Sequence, residues 1–256
     1  MKYCQVFKLL KTICLGVILF TVVGCASIPE GQIRSKKDPW EAMNRNVFAF
    51  NQSLDDYLLI PIARAYQFVL PETVRTGISN IFANVGDVYT ALNNFLQGKP
   101  KSATDDLIRV FVNTTMGLGG IMDVASMAGV EKHAEDFGQT FAVWGFGEGP
   151  YMVLPLLGAS SVRDTVGWVF DLETDILINL INDIPLRNSI TGVRVVDQRV
   201  RFIGASELLD SAAIDRYSFI RDAYFQRRRY KIYDGNPPPQ EDDDEILPVK
   251  VQPTLK

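Results

Sequence analysis

The chain has 256 residues, a hydrophobic content of 47% and a formal net charge of −4. The acidic balance argues against nucleic acid as a partner. Beyond the N-terminal region no run reaches the roughly 18 consecutive apolar positions that a membrane-spanning helix needs, so none is predicted in the mature protein.

The N-terminus has the three parts of a bacterial secretory signal. Lysines give it a positive start, and the apolar run 13–23 is too short to cross a bilayer. The run ends in Val22-Val23-Gly24-Cys25, the pattern of a lipobox, in which the cysteine is lipidated and the peptide is cut before it. We therefore predict a signal peptide over residues 1–24 and lipid attachment at Cys25.

Cysteine usage supports the lipid anchor. Cys4 and Cys14 leave with the signal peptide, so Cys25 is the one cysteine of the mature chain and has no disulfide partner within it. The alternative is an ordinary signal peptide that happens to contain a cysteine. Residue 26 is Ala rather than the Asp that usually signals retention in the inner membrane, so we expect the anchor in the outer membrane.

The mature chain divides into three parts. Residues 25–37 form a lipidated polar tether, and residues 38–233 hold a series of helical segments with apolar stripes. Residues 234–256 are rich in proline and acidic side chains, a composition typical of a disordered tail. The predicted fold class is all-α, with many short amphipathic helices and one irregular apolar loop.

The first helix is predicted to begin at Asp38-Pro39-Trp40-Glu41, where Asp38 caps the free N–H groups and Glu41 completes a capping box. Apolar residues then recur at steps of three and four. This stripe consists of Trp40, Met43, Val47, Phe50, Leu54 and Tyr57.

The other side of this helix carries amides more than charges, with Asn44, Arg45, Asn51 and Gln52. If the stripe meets acyl chains or other helices, this side is free to face water or a lipid headgroup. The planar guanidinium of Arg45 would suit two phosphate oxygens. The alternative is a helix on an ordinary core, with Arg45 in a surface ion pair.

Prolines and capping residues divide the rest of the chain into helices. Pro61 and Pro71 are predicted to break the second stretch into short helices. Ser161, followed by Asp164, predicts a later helix start.

The middle of the chain alternates glycine and proline with large apolar side chains. It reads Gly145-Phe146-Gly147-Glu148-Gly149-Pro150 and continues through the apolar segment 151–158. Such a stretch cannot form a regular helix. We predict an irregular loop whose side chains require burial or contact with lipid.

The sequence contains no recognisable constellation of catalytic residues. The single histidine, His133, lies in a polar loop and is predicted to be a solvated surface residue. No serine stands in a G-x-S-x-G motif, and the mature chain has neither H-E-x-x-H nor a cysteine pair. We predict no enzymatic activity, no metal site and no cofactor. The run Arg227 to Arg229 has two interpretations, a contact with lipid phosphates or cations at a helix C-terminus.

Six segments together resemble the MlaA/VacJ family of phospholipid-transport lipoproteins, in the family's order across about four fifths of the chain. They are Asp38-Pro39-Trp40-Glu41-Ala42-Met43-Asn44-Arg45, Phe95-Leu96-Gln97-Gly98, the segment 113–125 (NTTMGLGGIMDVA), Asp136-Phe137-Gly138-Gln139-Thr140, Gly147-Glu148-Gly149-Pro150-Tyr151 and Arg221-Asp222-Ala223-Tyr224-Phe225-Gln226-Arg227.

The resemblance implies a ring-like helical bundle in the inner leaflet of the outer membrane, with a polar channel. It implies that the protein removes mislocalised phospholipid from the outer leaflet and passes it to a soluble periplasmic carrier, beside a trimeric porin. A polar channel would lower the cost of moving a charged headgroup past hydrocarbon.

On this resemblance we predict that six residues line or control the lipid path. They are Asn44, Arg45 and Asn51 on the first helix and Gly145, Gly147 and Gly149 in the glycine-rich loop. The loop is expected to flex beside the channel and to help determine whether lipid passes.

Two other functions stay open at this stage. One is a lipoprotein that only scaffolds an envelope complex, which would not need the unusual glycine- and proline-rich loop. The other is a lipid hydrolase, which the missing nucleophile motif disfavours. Lipid that copurifies with the protein would separate transport from scaffolding, and unmodified lipid would exclude hydrolysis.

Overall fold

A computed structural model describes residues 35–239 of the chain. The predicted signal peptide, Cys25, most of the tether and the acidic part of the tail lie outside the described residues.

The described part of the chain is mainly helical, as predicted. Its elements are α1 (Glu41–Leu54), a π-helical turn (Asp55–Leu59), α2 (Ile60–Val69), α3 (Glu72–Leu96), α4 (Pro100–Thr115), α5 (Val124–Met127), α6 (Phe137–Val143), β1 (Tyr151–Leu154), β2 (Gly158–Ser161), α7 (Val162–Thr174), α8 (Ile176–Leu180), α9 (Ile184–Ala212) and α10 (Arg216–Ile232). The all-α fold class is therefore confirmed, with one short hairpin added.

Helix α1 begins where the sequence predicts, but the predicted role of Asp38 is wrong. The residue at the cap position is Trp40, which makes no side-chain capping bond. Asp38 is buried, and its carboxylate accepts hydrogen bonds from Asn44 and from the hydroxyl of Tyr217. A buried carboxylate requires partners of this kind, and here they are two side chains rather than the free backbone N–H groups of α1.

The prediction of a break at Pro61 is also wrong. Helix α1, the π-helical turn and α2 follow one another without interruption, and the N–H of Ile60 bonds to the carbonyl of Asp55, five residues earlier. The altered hydrogen-bond spacing lets the helix pass a residue that has no N–H to donate. Pro71, in contrast, does separate α2 from α3, as predicted.

The distribution of polarity in this fold is inverted. Among the described residues, twenty polar or charged residues are buried, against ten apolar ones, four of which are alanine. Forty large apolar residues are exposed, and they include Phe68, which is 92% exposed, and Met127, which is 81% exposed. A water-soluble protein of this size normally buries such side chains.

The pair of helices α3 and α4 shows how the inversion is built. The buried positions of α4 are Ala103, Asp106, Arg109 and Asn113, while its exposed face carries Leu107, Ile108 and Phe111. Across the pair, Asn94 donates to Asp106 and Arg109 pairs with Asp87. Polar contacts therefore hold the two helices together, and their apolar stripes point outwards.

The irregular loop predicted for the middle of the chain contains a β-hairpin. Strands β1 and β2 are antiparallel, with Tyr151 opposite Ser161 and Leu154 opposite Gly158. The turn between them places Leu156 and Gly158 at positive φ. Only the segment 145–150, before β1, is irregular. The apolar cluster of the fold lies around this hairpin, with Val47, Tyr151, Val153 and Tyr217 at its centre.

Candidate functional site

The side chain of Asn44 lies in the interior of the protein. It is 0% exposed, and its amide NH₂ donates to Asp38 and to the carbonyl of Tyr151, at 2.8 and 3.1 Å. Its amide oxygen accepts from the N–H of Val153 at 2.9 Å. The expectation that Asn44 is free to face water or a headgroup is therefore wrong, because its bonding capacity is used in holding β1.

Asn51 repeats this arrangement two helical turns later. Its NH₂ donates to the carbonyl of Leu154 and its oxygen accepts from the N–H of Leu156, both at 2.8 Å. The two amides, seven residues apart on α1, thus act as partners for the outer edge of the hairpin. An edge strand normally exposes such backbone groups.

The N-terminal segment completes this edge. The carbonyl of Lys37 accepts a hydrogen bond from the N–H of Tyr151 at 2.8 Å. Strand β1 is therefore paired with β2 on one side and with Lys37, Asn44 and Asn51 on the other.

Arg45 joins α1 to α10. Its guanidinium pairs with Glu41 at 2.8 Å and with Asp215 at 2.7 Å, and it lies over the ring of Tyr217. Burial opposes the charge of Arg45, but the hydrogen bonds that Arg45 donates to the carboxylates of Asp215 and Glu41 outweigh that effect and raise its pKa. This is neither the predicted phosphate contact nor the alternative of an exposed surface pair. Whether any of the six residues controls a lipid path stays a prediction.

The glycine-rich loop has one exposed half and one attached half. Gly145 and Gly149 have positive φ, at 92° and 71°, whereas Gly147 does not. A Cβ at Gly145 or Gly147 would meet nothing within 4 Å, but at Gly149 it would lie 3.1 Å from Val162. The stretch therefore has space to move around residues 145–147 and little at residue 149.

The attached half is bound to the start of α7. The N–H groups of Val162 and Arg163 donate to the carbonyls of Pro150 and Glu148. Ser161 caps α7 by accepting from the N–H of Asp164, so this predicted helix start is confirmed. Burial raises the pKa of Glu148, although the nearby charge of Arg163 acts against the change.

Two arginines with little exposure to solvent join several helices, and the sequence analysis missed the first of them. Arg109 is 0% exposed and donates to Asp87, Asp123, Ser126 and the carbonyl of Val130. Burial alone would raise the pKa of Asp123, but the bonds it accepts, beginning with Ser126 and Asn113, lower it to about 2. The sequence did contain an indication of this burial. Arg109 is spaced three residues after Asp106 and four before Asn113, so the three lie on one side of α4, opposite its apolar stripe.

The second is Arg228, from the run 227–229. Helix α10 ends at Ile232, so Arg229 lies in its last turn, as the second interpretation expects, whereas Arg228 pairs with Asp136 and Asp164. Burial disfavours its charge, yet the bond and the charge of Asp136 raise its pKa. Both interpretations offered for the run therefore fail at Arg228, which connects α6, α7 and α10.

His133 also differs from its prediction. Its side chain is 18% exposed, and Nδ1 lies 3.1 Å from a carboxylate oxygen of Asp106. Within residues 35–239 no group of three His, Cys, Asp or Glu side chains is arranged to hold a metal ion. None of the helices between those limits is long and apolar enough to cross a membrane.

Comparison with known proteins decides the family. A family model for MlaA lipoproteins matches residues 36–231, which is most of the chain. The chain belongs to the MlaA lipoprotein family. The resemblance carried by the six sequence segments is thereby confirmed.

Curated relatives agree with this assignment over nearly their full length. The intermembrane phospholipid transport system lipoprotein MlaA of Shigella flexneri is 34% identical over 236 residues, covering 91% of this chain and 92% of the relative. The protein of the same name from Haemophilus influenzae is 32% identical over 233 residues, covering 89% and 92%.

A solved structure extends the likeness to the fold. It matches with a TM-score of 0.67 and 34% identity, over 79% of this chain and all of the other. That structure is described as the structural basis for maintenance of bacterial outer membrane lipid asymmetry.

Proposed function

We propose that this protein is an outer-membrane lipoprotein of an intermembrane phospholipid transport system. It takes phospholipid that has strayed into the outer leaflet and passes it to a soluble periplasmic carrier, and so maintains lipid asymmetry. A trimeric porin is the neighbour that we expect beside it in the membrane.

The inverted polarity is the observation that carries this proposal. Exposed apolar side chains on most helices suit a body surrounded by acyl chains, in the inner leaflet of the outer membrane. A polar interior suits the passage of a charged headgroup, which hydrocarbon would exclude. A ring-like bundle around a polar channel combines the two properties.

The predicted lipid-path residues have separate parts in this proposal. Gly145 and Gly147 supply the moving segment beside the path, and Gly149 is the point at which that segment joins its attachment to α7. Asn44 and Asn51 hold the hairpin to which that segment is joined, and Arg45 fixes α1 against α10. The path itself then runs along the buried polar side chains of the helices.

A deletion strain tests the transport function. Outer-leaflet phospholipid, measured by its accessibility to a phospholipase added outside the cell, should rise several-fold and return to normal with the wild-type gene. The lipid bound to the purified protein should be chemically intact. Unchanged accessibility would refute transport, and hydrolysed lipid would favour a hydrolase.

The anchor is tested at Cys25. The variant Cys25→Ala should remain an uncleaved precursor in the inner membrane, because the lipobox chemistry requires the cysteine sulfur. Mass spectrometry of the wild-type N-terminus should find acyl groups on Cys25 and cleavage after Gly24. An unmodified Cys25, or cleavage elsewhere, would refute the anchor.

A further inference from the structure

A chain of alternating charges runs from α6 to the glycine-rich loop. Its first four members are Asp136, Arg228, Asp164 and Arg163, and the distances between successive members are 2.5, 2.5 and 3.0 Å. The fifth member is Glu148, whose carboxylate lies 4.0 Å from Nη2 of Arg163. The chain is therefore closed among the helices, and its last contact, with the loop, is the loose one.

The loose contact leaves a buried donor without an acceptor. The side chain of Arg163 is 6% exposed, and Asp164 accepts its hydrogen bond from Nε, so Nη2 makes no hydrogen bond within residues 35–239. A buried donor in this state costs free energy until an acceptor reaches it. The carboxylate of Glu148 would reach it after a shift of about 1 Å, which brings the two atoms to the usual hydrogen-bond distance.

The same two residues are also joined through the backbone. The N–H of Arg163 donates to the carbonyl of Glu148 at 3.2 Å. Gly147, directly before Glu148, has open space around it, because a Cβ added there would meet nothing within 4 Å. Glu148 thus stands between the open part of the loop and its attachment to α7, where a charge interaction can act on both.

Charged groups from three parts of the chain act on the carboxylate of Glu148. They are Arg163 and Asp164 in α7, Lys37 before α1 and Arg228 in α10. Burial raises the pKa of Glu148, and the three cations only partly oppose this change. The carboxylate therefore takes up a proton at a higher pH than an ordinary glutamate does. Once protonated it has no charge to attract Arg163, so acid weakens the contact.

We propose that Glu148 and Arg163 form an acid-sensitive latch, which holds the glycine-rich loop against the start of α7 at neutral pH and releases it in acid. The latch gives the loop two states, and the proton selects between them because it binds only the released carboxylate tightly. Arg163 is a positioning residue in this scheme. The proposal rests on the proposed function in one respect, that the position of this loop affects the passage of lipid.

A spin label at residue 147 measures the motion of the loop without reference to transport. Cys25 is the one cysteine of the mature chain and is predicted to carry lipid, so Gly147→Cys supplies a single thiol for labelling, at a position with room for a side chain. Electron paramagnetic resonance spectra of the full-length lipoprotein in detergent are compared at about pH 7.5 and about pH 5. We expect the mobile fraction of the label at least to double in acid.

A matched pair of variants in this labelled protein assigns the effect. Glu148→Gln has nearly the same shape but no charge, so its label should be mobile at both pH values. Glu173→Gln makes the same change at an exposed position of α7 and should keep the wild-type response. Arg163→Gln should resemble Glu148→Gln. If the label in Glu148→Gln responded to acid as in the control, another group would be responsible and the latch would be overturned.

Two further measurements separate the latch from the transport function. Circular dichroism verifies that each variant is folded, and Glu148→Ala replaces Glu148→Gln if that variant is not. If Glu148→Gln frees the label while the deletion strain keeps normal asymmetry, the latch stands and the transport function fails. If the deletion strain loses asymmetry while Glu148→Gln leaves the label unchanged, the transport function stands and the latch fails.

Discussion

At the scale of single residues, one carboxamide joins three separate parts of the chain. The side chain of Asn44 contacts Asp38 before α1 and the backbone of Tyr151 and Val153 in β1. It provides a hydrogen-bond partner for one buried donor, the N–H of Val153, and for two buried acceptors, the carboxylate of Asp38 and the carbonyl of Tyr151. An amide is suited to this role because it donates and accepts through one planar group.

Replacement of Asn44 by Leu should therefore destabilise the protein. Each buried group left without a partner costs about 1–3 kcal/mol. The change leaves the carbonyl of Tyr151 and the N–H of Val153 without their Asn44 partner, and it removes one of the partners of Asp38. A lower midpoint of thermal unfolding in detergent checks this. The control is Gln52→Leu on α1, where the side chain makes no hydrogen bond within residues 35–239, and it should leave the midpoint within a degree or two. Equal midpoints would contradict the role of Asn44 in holding β1.

The difference between prediction and structure at Asn44 has a physical reason. Sequence spacing correctly separates the amide side of α1 from its apolar side. It does not show whether an amide meets water, a ligand or a strand edge, because all three satisfy the same donor and acceptor. The partners of Asn44 in β1 lie more than 100 residues away in sequence, and only the tertiary fold brings them to it.

Asp171 makes stability depend on pH. Burial raises its pKa from 3.8 to about 6, against the opposing bonds from Tyr89 and from the N–H of Phe137. Between these values the folded state holds a proton that the unfolded state has lost. Stability should therefore fall as pH rises from about 4 to about 6, with the loss complete above that range.

The variant Asp171→Asn removes this titration and keeps an oxygen to accept both bonds. Its unfolding midpoint should change less between pH 4 and pH 8 than that of wild type. Asp56→Asn, at an exposed position on the π-helical turn, serves as the control and should keep the wild-type slope. If the unfolding midpoint of Asp171→Asn changed with pH as much as that of wild type, Asp171 would not be the source of the pH dependence.

At the scale of elements, local signals predicted several helix boundaries. Ser161 with Asp164 predicted the start of α7, and Pro71 the separation of α2 from α3, because caps and prolines act within a few residues. The predicted break at Pro61 is wrong because a π-helical turn lets the helix continue past a residue that has no N–H, and no residue pattern in the sequence marks such a turn. The hairpin was missed because its register depends on α1 and Lys37 as much as on its own residues.

The glycine-rich loop gives a prediction with an internal control. Gly149→Ala forces a side chain into the left-handed region and towards Val162, at a cost of about 1–2 kcal/mol. Gly147→Ala meets neither obstacle. We expect Gly149→Ala to raise outer-leaflet phospholipid while circular dichroism and protein level stay normal, and Gly147→Ala to have the smaller effect. Normal asymmetry in both would make the loop a connector only.

At the scale of the whole molecule, the apolar stripes were visible in the sequence but their direction was not. A stripe has the same spacing whether it faces a core or a lipid. The side opposite the stripe holds the better indication, since α3 and α4 carry Asn84, Asn94, Asp106 and Arg109 at the positions that become buried. The family resemblance supplied what periodicity alone could not.

Residues on the outward face of α2 can be used to test whether the protein is surrounded by lipid. A cysteine at Phe68 should be protected in isolated outer membranes, because hydrocarbon excludes a charged maleimide. A cysteine at Lys132, which is exposed in a polar loop, should react freely. We expect labelling of Phe68→Cys to be at least tenfold slower than that of Lys132→Cys, and the two rates to converge in denaturant. Equal rates in membranes would refute burial of this face in lipid.

The bond between Lys37 and Tyr151 has a mechanical consequence. If acyl chains hold Cys25 in the leaflet, the twelve residue-to-residue steps from Cys25 to Lys37 limit the distance between these two residues to about 40 Å. The Lys37 end of this segment is bound to β1, the strand that follows the glycine-rich loop. A pull on the segment between Cys25 and Lys37 would therefore act first on the hairpin. The depth of the protein in the leaflet and the position of the glycine-rich loop are thus mechanically coupled.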